Sequence, residues 1–459
     1  VINNNPFING ALDLCLGFAR GFLQESIYKN NVSVVCAGLE WHGAWRIIMN
    51  SNESVISLIK QRKARHVLPR ELYFDPVVYR QDLEHIWHKD WVFAGHTFEI
   101  PKTGQYFTLQ IGDYPVAVVR GKDGEVRAFH NACRHRGAKV CEHASGKVAK
   151  LVCPYHKWTF ELDGNLIYAG NMGNDFDRSN YGLKTVHVEV VHTYIYVCVA
   201  EEAPDFSSFR AAVTPFIAPH FLENCKVAFE SNLIEKGNWK LVFENNRECY
   251  HCDGTHPELL NSFVENLSVA GVGGDDDPEL VAHWDRCEAA GMPSRLNMDP
   301  KGRFRMTRIP LSAGAVSYTM DGKPAVAGRL DKSGEPDIGA LLYFNYPSTW
   351  NHFLGDHALS FRVLPIGPGE TLVTTKWLVP EAAVEGVDYD LERLTKVWLA
   401  TNDQDRRLVE GTFAGVSSPA YEPGPFSENA ENGVCQFDDW YCETMLERLE
   451  GRPQLKSVG

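Results

Sequence analysis

Two short loops, CRHRG at 133–137 and CPYHKW at 153–158, hold residues that can bind metal. They supply Cys133, His135, Cys153 and His156 in the pattern C-x-H, seventeen intervening residues, then C-x2-H. Two thiols and two imidazoles can hold one tetrahedral zinc. The tight C-x-H step works against zinc, because residues two apart on a β-like loop do not converge on one ion. It suits a cluster of two metal atoms, with thiolates on one and imidazoles on the other. A Rieske-type [2Fe–2S] centre divides its ligands in this way, and the neutral imidazoles raise its reduction potential. Gly137 and Pro154 favour the tight turns such loops need.

A second constellation lies in ENNRECYHCDGTH, residues 244–256. His251 and His256 are five apart, about 140° around a continuous α-helix, so an unbroken helix cannot aim both at one metal. Residues 239–253 read as helix, with Asn245, Glu248 and His251 on one face. Gly254 and Pro257 then let the chain leave the helix after His251 and bring His256 back. The spacing is not the H-E-x-x-H of zinc proteases. Two histidines and a carboxylate make the facial triad of non-haem Fe(II) oxygenases, which leaves positions open for O2 and substrate.

The stretch TNDQDRRLVE offers the carboxylate. It lies on an amphipathic helix read over 388–413, where Leu394, Val397, Thr401, Asp405 and Leu408 follow one face. Asp403 falls about 200° from Asp405, on the solvent side. An acid on a buried stripe is costly unless it is paired or metal-bound. Asp405 is therefore the expected third ligand and Asp403 the alternative. Cys249 and Cys252 are expected to pack as small hydrophobes rather than ligate metal.

The elements that must position these groups divide the chain. From about Leu72 to Trp91 the apolar spacing suits short helices. Residues 95–205 read as an all-β module, with turn signals at Gly112-Asp113, Asp123-Gly124 and Asp163-Gly164. Helices and strands mix from 206 to 459. The expected class is α+β, with domains 49–94 (helical, packing on the catalytic part), 95–205 ([2Fe–2S]) and 206–459 (mononuclear iron). Met49 opens a stretch that reads like an ordinary N-terminus, so residues 1–48 are read as an atypical extension without the character of a signal peptide.

Bulk properties narrow the function classes. A formal net charge of −14 argues against nucleic-acid binding through a basic surface. No run reaches the roughly 18–20 apolar residues of a membrane span. Twelve scattered cysteines suggest no disulfide framework, and a reducing, cytoplasmic setting is expected.

The paired motifs, with WKLVFENNRECYHCDGTH, resemble the catalytic α subunits of Rieske non-haem iron oxygenases over roughly Leu68 to Arg452. The resemblance implies an all-β Rieske domain beside a helix-grip catalytic domain, assembled as a homotrimer. It implies a [2Fe–2S] cluster on Cys133, His135, Cys153 and His156, and mononuclear iron on His251, His256 and Asp405. Glu248 takes the place of the acid that bridges a neighbouring subunit's Rieske histidine to this iron, and Asn245 lies beside it. IEKGNWKLV, SYTMDGK, YPSTWNHF and ATNDQDRRLVE are similar to the betaine N-demethylase branch, with stachydrine (proline betaine) expected ahead of glycine betaine. Carnitine, choline and aromatic-ring dihydroxylation remain as alternatives. The implied reaction uses O2 and NADH-derived electrons from a separate flavin and [2Fe–2S] reductase, and releases formaldehyde. A quaternary nitrogen calls for aromatic faces, with Tyr318, Phe344, Tyr346, Trp350 and Phe353 as candidates. Arg305 or Arg308 would pair with a betaine carboxylate.

Overall fold

Alternating apolar strands punctuated by glycine turns produce the first layer of the molecule. The computed structural model describes residues 52–264 and 277–451. The expectation for residues 1–48 falls outside them. A seven-stranded antiparallel sheet runs Val92–His96, Tyr194–Cys198, Thr185–Val191, Val126–His130, Tyr114–Arg120, Gln105–Ile111, Ser145–Lys147. Gly112 and Gly124 take positive φ of 53° and 86° in its tight turns, and Gly164 takes 89° in the hairpin between Thr159–Phe160 and Leu166–Tyr168, where glycine alone is unstrained. A small sheet of Leu151–Val152, Thr159–Phe160 and Leu166–Tyr168 carries the second cysteine–histidine loop.

The second large sheet is also antiparallel. Its order is Cys225–Glu235, Glu370–Pro380, Ala358–Gly367, Thr349–Phe353, Ala340–Asn345, Phe304–Ile309, Asn297–Met298. Period-two alternation gives its faces different tasks. Leu341, Tyr343, Phe353 and Leu378 pack with Phe93, Tyr194 and Tyr196 of the first sheet. Leu342, Phe344 and Trp350 join the core under the helices Trp239–Asn246, Leu391–Val416 and Asn432–Leu449.

Helices at Glu71–Phe74 and Pro76–Asp82 pack on this helical layer. Asp82, fully buried, accepts from Lys240 Nζ, from Trp239 Nε1 (3.0 Å) and from Tyr441 OH (2.8 Å). Removing one partner of such a buried pair typically costs about 3–5 kcal/mol, because the other charge stays stranded. That network fixes the Trp239–Asn246 helix, whose end opens into the candidate iron site. Among the described residues no helix is long and apolar enough to cross a membrane.

Candidate metal centres and active-site pocket

The two cysteine–histidine loops are built alike. Cys133 N–H donates to Ala138 O (2.8 Å) and Gly137 N–H to Cys133 O (2.9 Å). In the second loop Cys153 N–H donates to Trp158 O (2.8 Å) and Lys157 N–H to Cys153 O (3.1 Å). The fourth residue after each cysteine takes positive φ, 79° at Gly137 and 59° at Lys157. Glycine enters that region freely; lysine is held there by its loop. Backbone hydrogen bonds of the same pattern therefore shape both loops.

This geometry fits a Rieske cluster. Both thiols are buried and in contact, while both imidazoles are exposed with their Nδ1 atoms 3.1 Å apart. His135 stacks on Trp158 and His156 on Tyr155, with ring centroids 4.9 and 3.9 Å apart. Desolvation, the facing His135 and Arg136 hold His156 below its ordinary pKa, which favours the neutral imidazole a metal needs. Burial pushes the Cys133 thiol up, against amide hydrogen bonds from His135 and Arg136.

The second centre forms where the Trp239–Asn246 helix stops. One continuous helix through residue 253 was expected, but the helix ends at Asn246 and a single helical turn, Cys252–Thr255, follows His251. Gly254 lies inside that turn rather than at a chain reversal. The break after Asn246, with Arg247 N–H donating to Glu244 O (3.1 Å), is what frees His251 to meet His256. A Cys249–Cys252 disulfide spans it, so these cysteines are not free packing residues. The tight turn brings their Cα atoms to 5.0 Å, within disulfide range. The other eight cysteines of the described residues are free and buried.

His251 Nε2 and His256 Nε2 lie 3.0 Å apart, and Asp405 Oδ1 lies 3.3 and 3.0 Å from them. Cys252 also comes near the two imidazoles, but its sulfur is committed to the disulfide. Asp403, the alternative ligand, instead pairs with Arg406 (2.7 Å) and Arg407 on the outer side of the helix. Burial alone would raise the Asp405 carboxyl, but the two imidazoles outweigh it and hold it low. His251 shows the reciprocal effect: burial opposes its charging, yet Asp405 and Glu248 lift it to about 9. No well-aligned hydrogen bond reaches buried Asp405 Oδ1. Three acceptor atoms converging under net negative charge suit a divalent cation.

Side chains behind the ligands fix their direction. Glu248 accepts from His251 Nδ1 at 2.5 Å, leaving Nε2 for metal. His256 Nδ1 meets Gln404 Oε1 at 2.8 Å, and Gln404 Nε2 donates to Glu258 at 2.8 Å. The donation to Glu258 orients the Gln404 amide so that its oxygen faces His256, which sets that tautomer too. Gln404 was not anticipated; its place beside Asp405 in the sequence was the available signal.

A cavity of 110 Å³ opens beside the triad, lined among others by Arg247, Phe263, Arg305, Phe344, His352 and Trp398. Asn245 and Glu248 also line it. Of the aromatic residues expected around substrate, Phe344 does, but the Arg247 guanidinium already covers its ring at 4.1 Å. Tyr318 stands one layer back, its OH 3.1 Å from His352 Nδ1. Trp350 stacks on Phe361, and Tyr346 packs on Phe437 and Trp440. Phe353 and Arg308 sit on the opposite face of the sheet, where both meet His220. Strand parity explains the correction: Arg305, Thr307 and Ile309 face the cavity, so Arg308 must face away. Trp398, seven residues before Asp405 on the same helix, and His352, paired with Leu342, were readable from the same periodicities.

Comparison with known proteins follows the same division. A model for the Rieske [2Fe–2S] domain matches residues 90–189. A model for the ring hydroxylating alpha subunit (catalytic domain) matches residues 222–447. The glycine betaine monooxygenase oxygenase subunit of Chromohalobacter salexigens is 48% identical over 421 residues, 89% of this chain and 92% of that protein. Its counterpart in Pseudomonas aeruginosa is 46% identical over 405 residues, covering 87% and 94%. The solved structure of a quaternary ammonium Rieske monooxygenase superposes with a TM-score of 0.67 at 20% identity, covering 85% and 98% of the two chains.

Proposed function

The chain belongs to the Rieske-type ring-hydroxylating alpha-subunit family, and from that premise we propose that it removes an N-methyl group from glycine betaine as the oxygenase component of a two-component monooxygenase. The observation that carries this reading is the convergence of His251 Nε2, His256 Nε2 and Asp405 Oδ1 beside a small cavity with both cationic and aromatic walls. His251, His256 and Asp405 are assigned to the mononuclear iron, and Cys133, His135, Cys153 and His156 to the [2Fe–2S] cluster. Stachydrine was expected ahead of glycine betaine. Relatives from Chromohalobacter salexigens and Pseudomonas aeruginosa that match this chain over nine-tenths of their own length are glycine betaine enzymes, so the order is reversed.

Bound iron supplies dioxygen activation at this site. The protein's part is to hold a small zwitterion so that one N-methyl group faces the triad. A quaternary nitrogen accepts no hydrogen bond, so Trp398 and Phe263 offer it ring faces. His352 is suited to that wall because burial and His357 hold its pKa down to about 3, and a neutral ring does not repel the cation. Betaine, O2, two electrons and two protons give dimethylglycine, formaldehyde and water, through an N-hydroxymethyl compound that loses formaldehyde. A hydrocarbon ring is a poor occupant, since it would leave Arg247 desolvated without an anion.

Electrons enter from a separate NADH-dependent flavin and [2Fe–2S] reductase in this reading. The exposed His135 and His156 of one subunit approach Glu248 of the next in a homotrimer. Glu248 bonds His251, assigned to the iron, which is where such a link must end. Asn245, on the pocket wall, is assigned to the same junction. The test is aerobic turnover with a matching reductase on glycine betaine, stachydrine, carnitine and choline, scored by formaldehyde. Fastest release from glycine betaine is expected; no formaldehyde from any of the four overturns the demethylase reading.

A further inference from the structure

Two guanidiniums lie inside the cavity, and the triad chemistry uses neither. Arg247 and Arg305 are 2% and 6% exposed and both line the pocket. They face the same ring: Arg247 sits 4.1 Å and Arg305 5.6 Å from the Phe344 centroid. Arg247 comes from the break after the Trp239–Asn246 helix, and Arg305 from the strand paired with Phe344. Among the described residues Arg247 forms no ion pair; its Nη2 donates to Gln436 Oε1 at 3.3 Å, and its Nε is buried without a partner. Burial and the neighbouring Arg247 both depress the pKa of Arg305. Arg247, buried on the cavity wall without an ion pair among the described residues and beside a second guanidinium, favours an anion in the cavity.

The cavity is polarised along the sheet. Arg305 pairs with Phe344, while Thr307 pairs with Leu342, which in turn pairs with His352. The cationic rung and the His352 rung are therefore two residues apart, one side-chain repeat on the same face. Trp398 stands against His352, with ring centroids 4.8 Å apart. It shares a helix face with Thr401 and Asp405, at spacings of three and four. One end of the cavity thus offers positive charge and the other aromatic and neutral rings.

We infer that Arg247 and Arg305 form a two-guanidinium clamp for the substrate's carboxylate, so that the anionic end of a betaine fixes which end meets the triad. Phe344 is the floor of this clamp: its ring is occupied by the guanidiniums and holds them in place, rather than holding the ammonium. Gln436 steadies Arg247 from behind. The inference rests on the betaine reading for the identity of the ligand, but on the two arginines for its charge. It makes the site selective for a carboxylate over an alcohol at the same quaternary head.

Arg247→Gln, Arg305→Gln and the conservative Arg247→Lys, Arg305→Lys would be compared with wild type as iron-loaded protein. Binding of glycine betaine, choline and acetate would be measured by calorimetry, alongside KM and kcat for glycine betaine. Each glutamine variant is expected to weaken glycine betaine binding roughly 10- to 100-fold, the usual effect of losing a charged hydrogen-bond partner. Choline binding should change less than about threefold, and competition by acetate should disappear; lysine should restore part of the loss. An equal loss for betaine and choline, or unchanged betaine binding in both glutamine variants, overturns the clamp. Wild type that binds betaine and acetate in this pattern yet releases no formaldehyde overturns the demethylase reading and leaves the clamp standing. Visible absorption of the [2Fe–2S] cluster confirms that each variant is folded.

Discussion

The two metal centres of this chain are prepared in opposite ways. The cysteine–histidine loops are shaped by main-chain hydrogen bonds repeated in both copies, with exposed imidazoles and buried thiols. The histidine–aspartate triad is assembled from two helical elements some 150 residues apart, and side chains direct it: Glu248 behind His251, Gln404 and Glu258 behind His256. A loop built by its own backbone depends little on distant packing. A triad built by side chains depends on whatever holds the Leu391–Val416 helix against the broken end of Trp239–Asn246.

The sharpest way to break the comparison is to remove one ligand from each centre. About three irons and two sulfides per chain are expected for the loaded protein. His256→Ala should abolish turnover and lose only the mononuclear iron, with the visible and electron paramagnetic resonance spectra of the cluster intact. Cys153→Ser should abolish turnover by the other route, losing the sulfide and the visible spectrum while keeping some iron at the triad. Loss of both centres in either variant would show that they are not prepared independently.

That difference also decides what the sequence disclosed. The loops were legible because ligand, spacing and turn residues all lie within a few positions of one another. The β module was legible for the same reason, its hairpins marked by Gly112, Gly124 and Gly164. Asp405 could be picked over Asp403 because a single helix sets both directions. The path between His251 and His256 could not be read, since a helix through 253 satisfied local propensity and only tertiary packing ends it at Asn246. Cavity residues were hardest: aromatic identity pointed to Tyr318, Tyr346, Trp350 and Phe353, which serve the core, while strand parity would have separated Arg305 from Arg308 and added His352. Neither Arg247 beside Glu248 nor the Cys249–Cys252 bridge carries a local signature that separates it from packing.

A smaller effect probes the supporting side chains. Gln404→Leu removes the amide that fixes His256 without touching a ligand. Iron affinity or turnover is expected to fall about 10- to 100-fold, as is typical when the partner behind a ligating histidine is lost. Titration of iron into the apoprotein measures it. The ring of Trp158 lies against His135 rather than holding either cysteine backbone, so Trp158→Phe, which keeps a ring there, should leave cluster content unchanged. Equal sensitivity of the two centres to these substitutions would erase the distinction.

The smallest effect lies within the pair of loops, where equivalent positions carry different residues. Gly137 and Lys157 both occupy left-handed backbone, but only glycine does so without steric cost. Gly137→Ala meets no neighbouring atom within 4 Å, so its cost is conformational alone, about 1–2 kcal/mol. Lys157→Gly removes a cost of that kind, but it also frees the unfolded chain and loses the bond from Lys157 Nζ to Pro154 O at 3.0 Å. These terms oppose one another, so Lys157→Gly should shift thermal loss of the cluster spectrum by less than about 2 °C. Gly137→Ala should lower it by about 2–4 °C. If Lys157→Gly instead raises the midpoint by as much as Gly137→Ala lowers it, the strain at Lys157 is uncompensated, and the second loop owes its shape to the bound cluster rather than to its own hydrogen bonds.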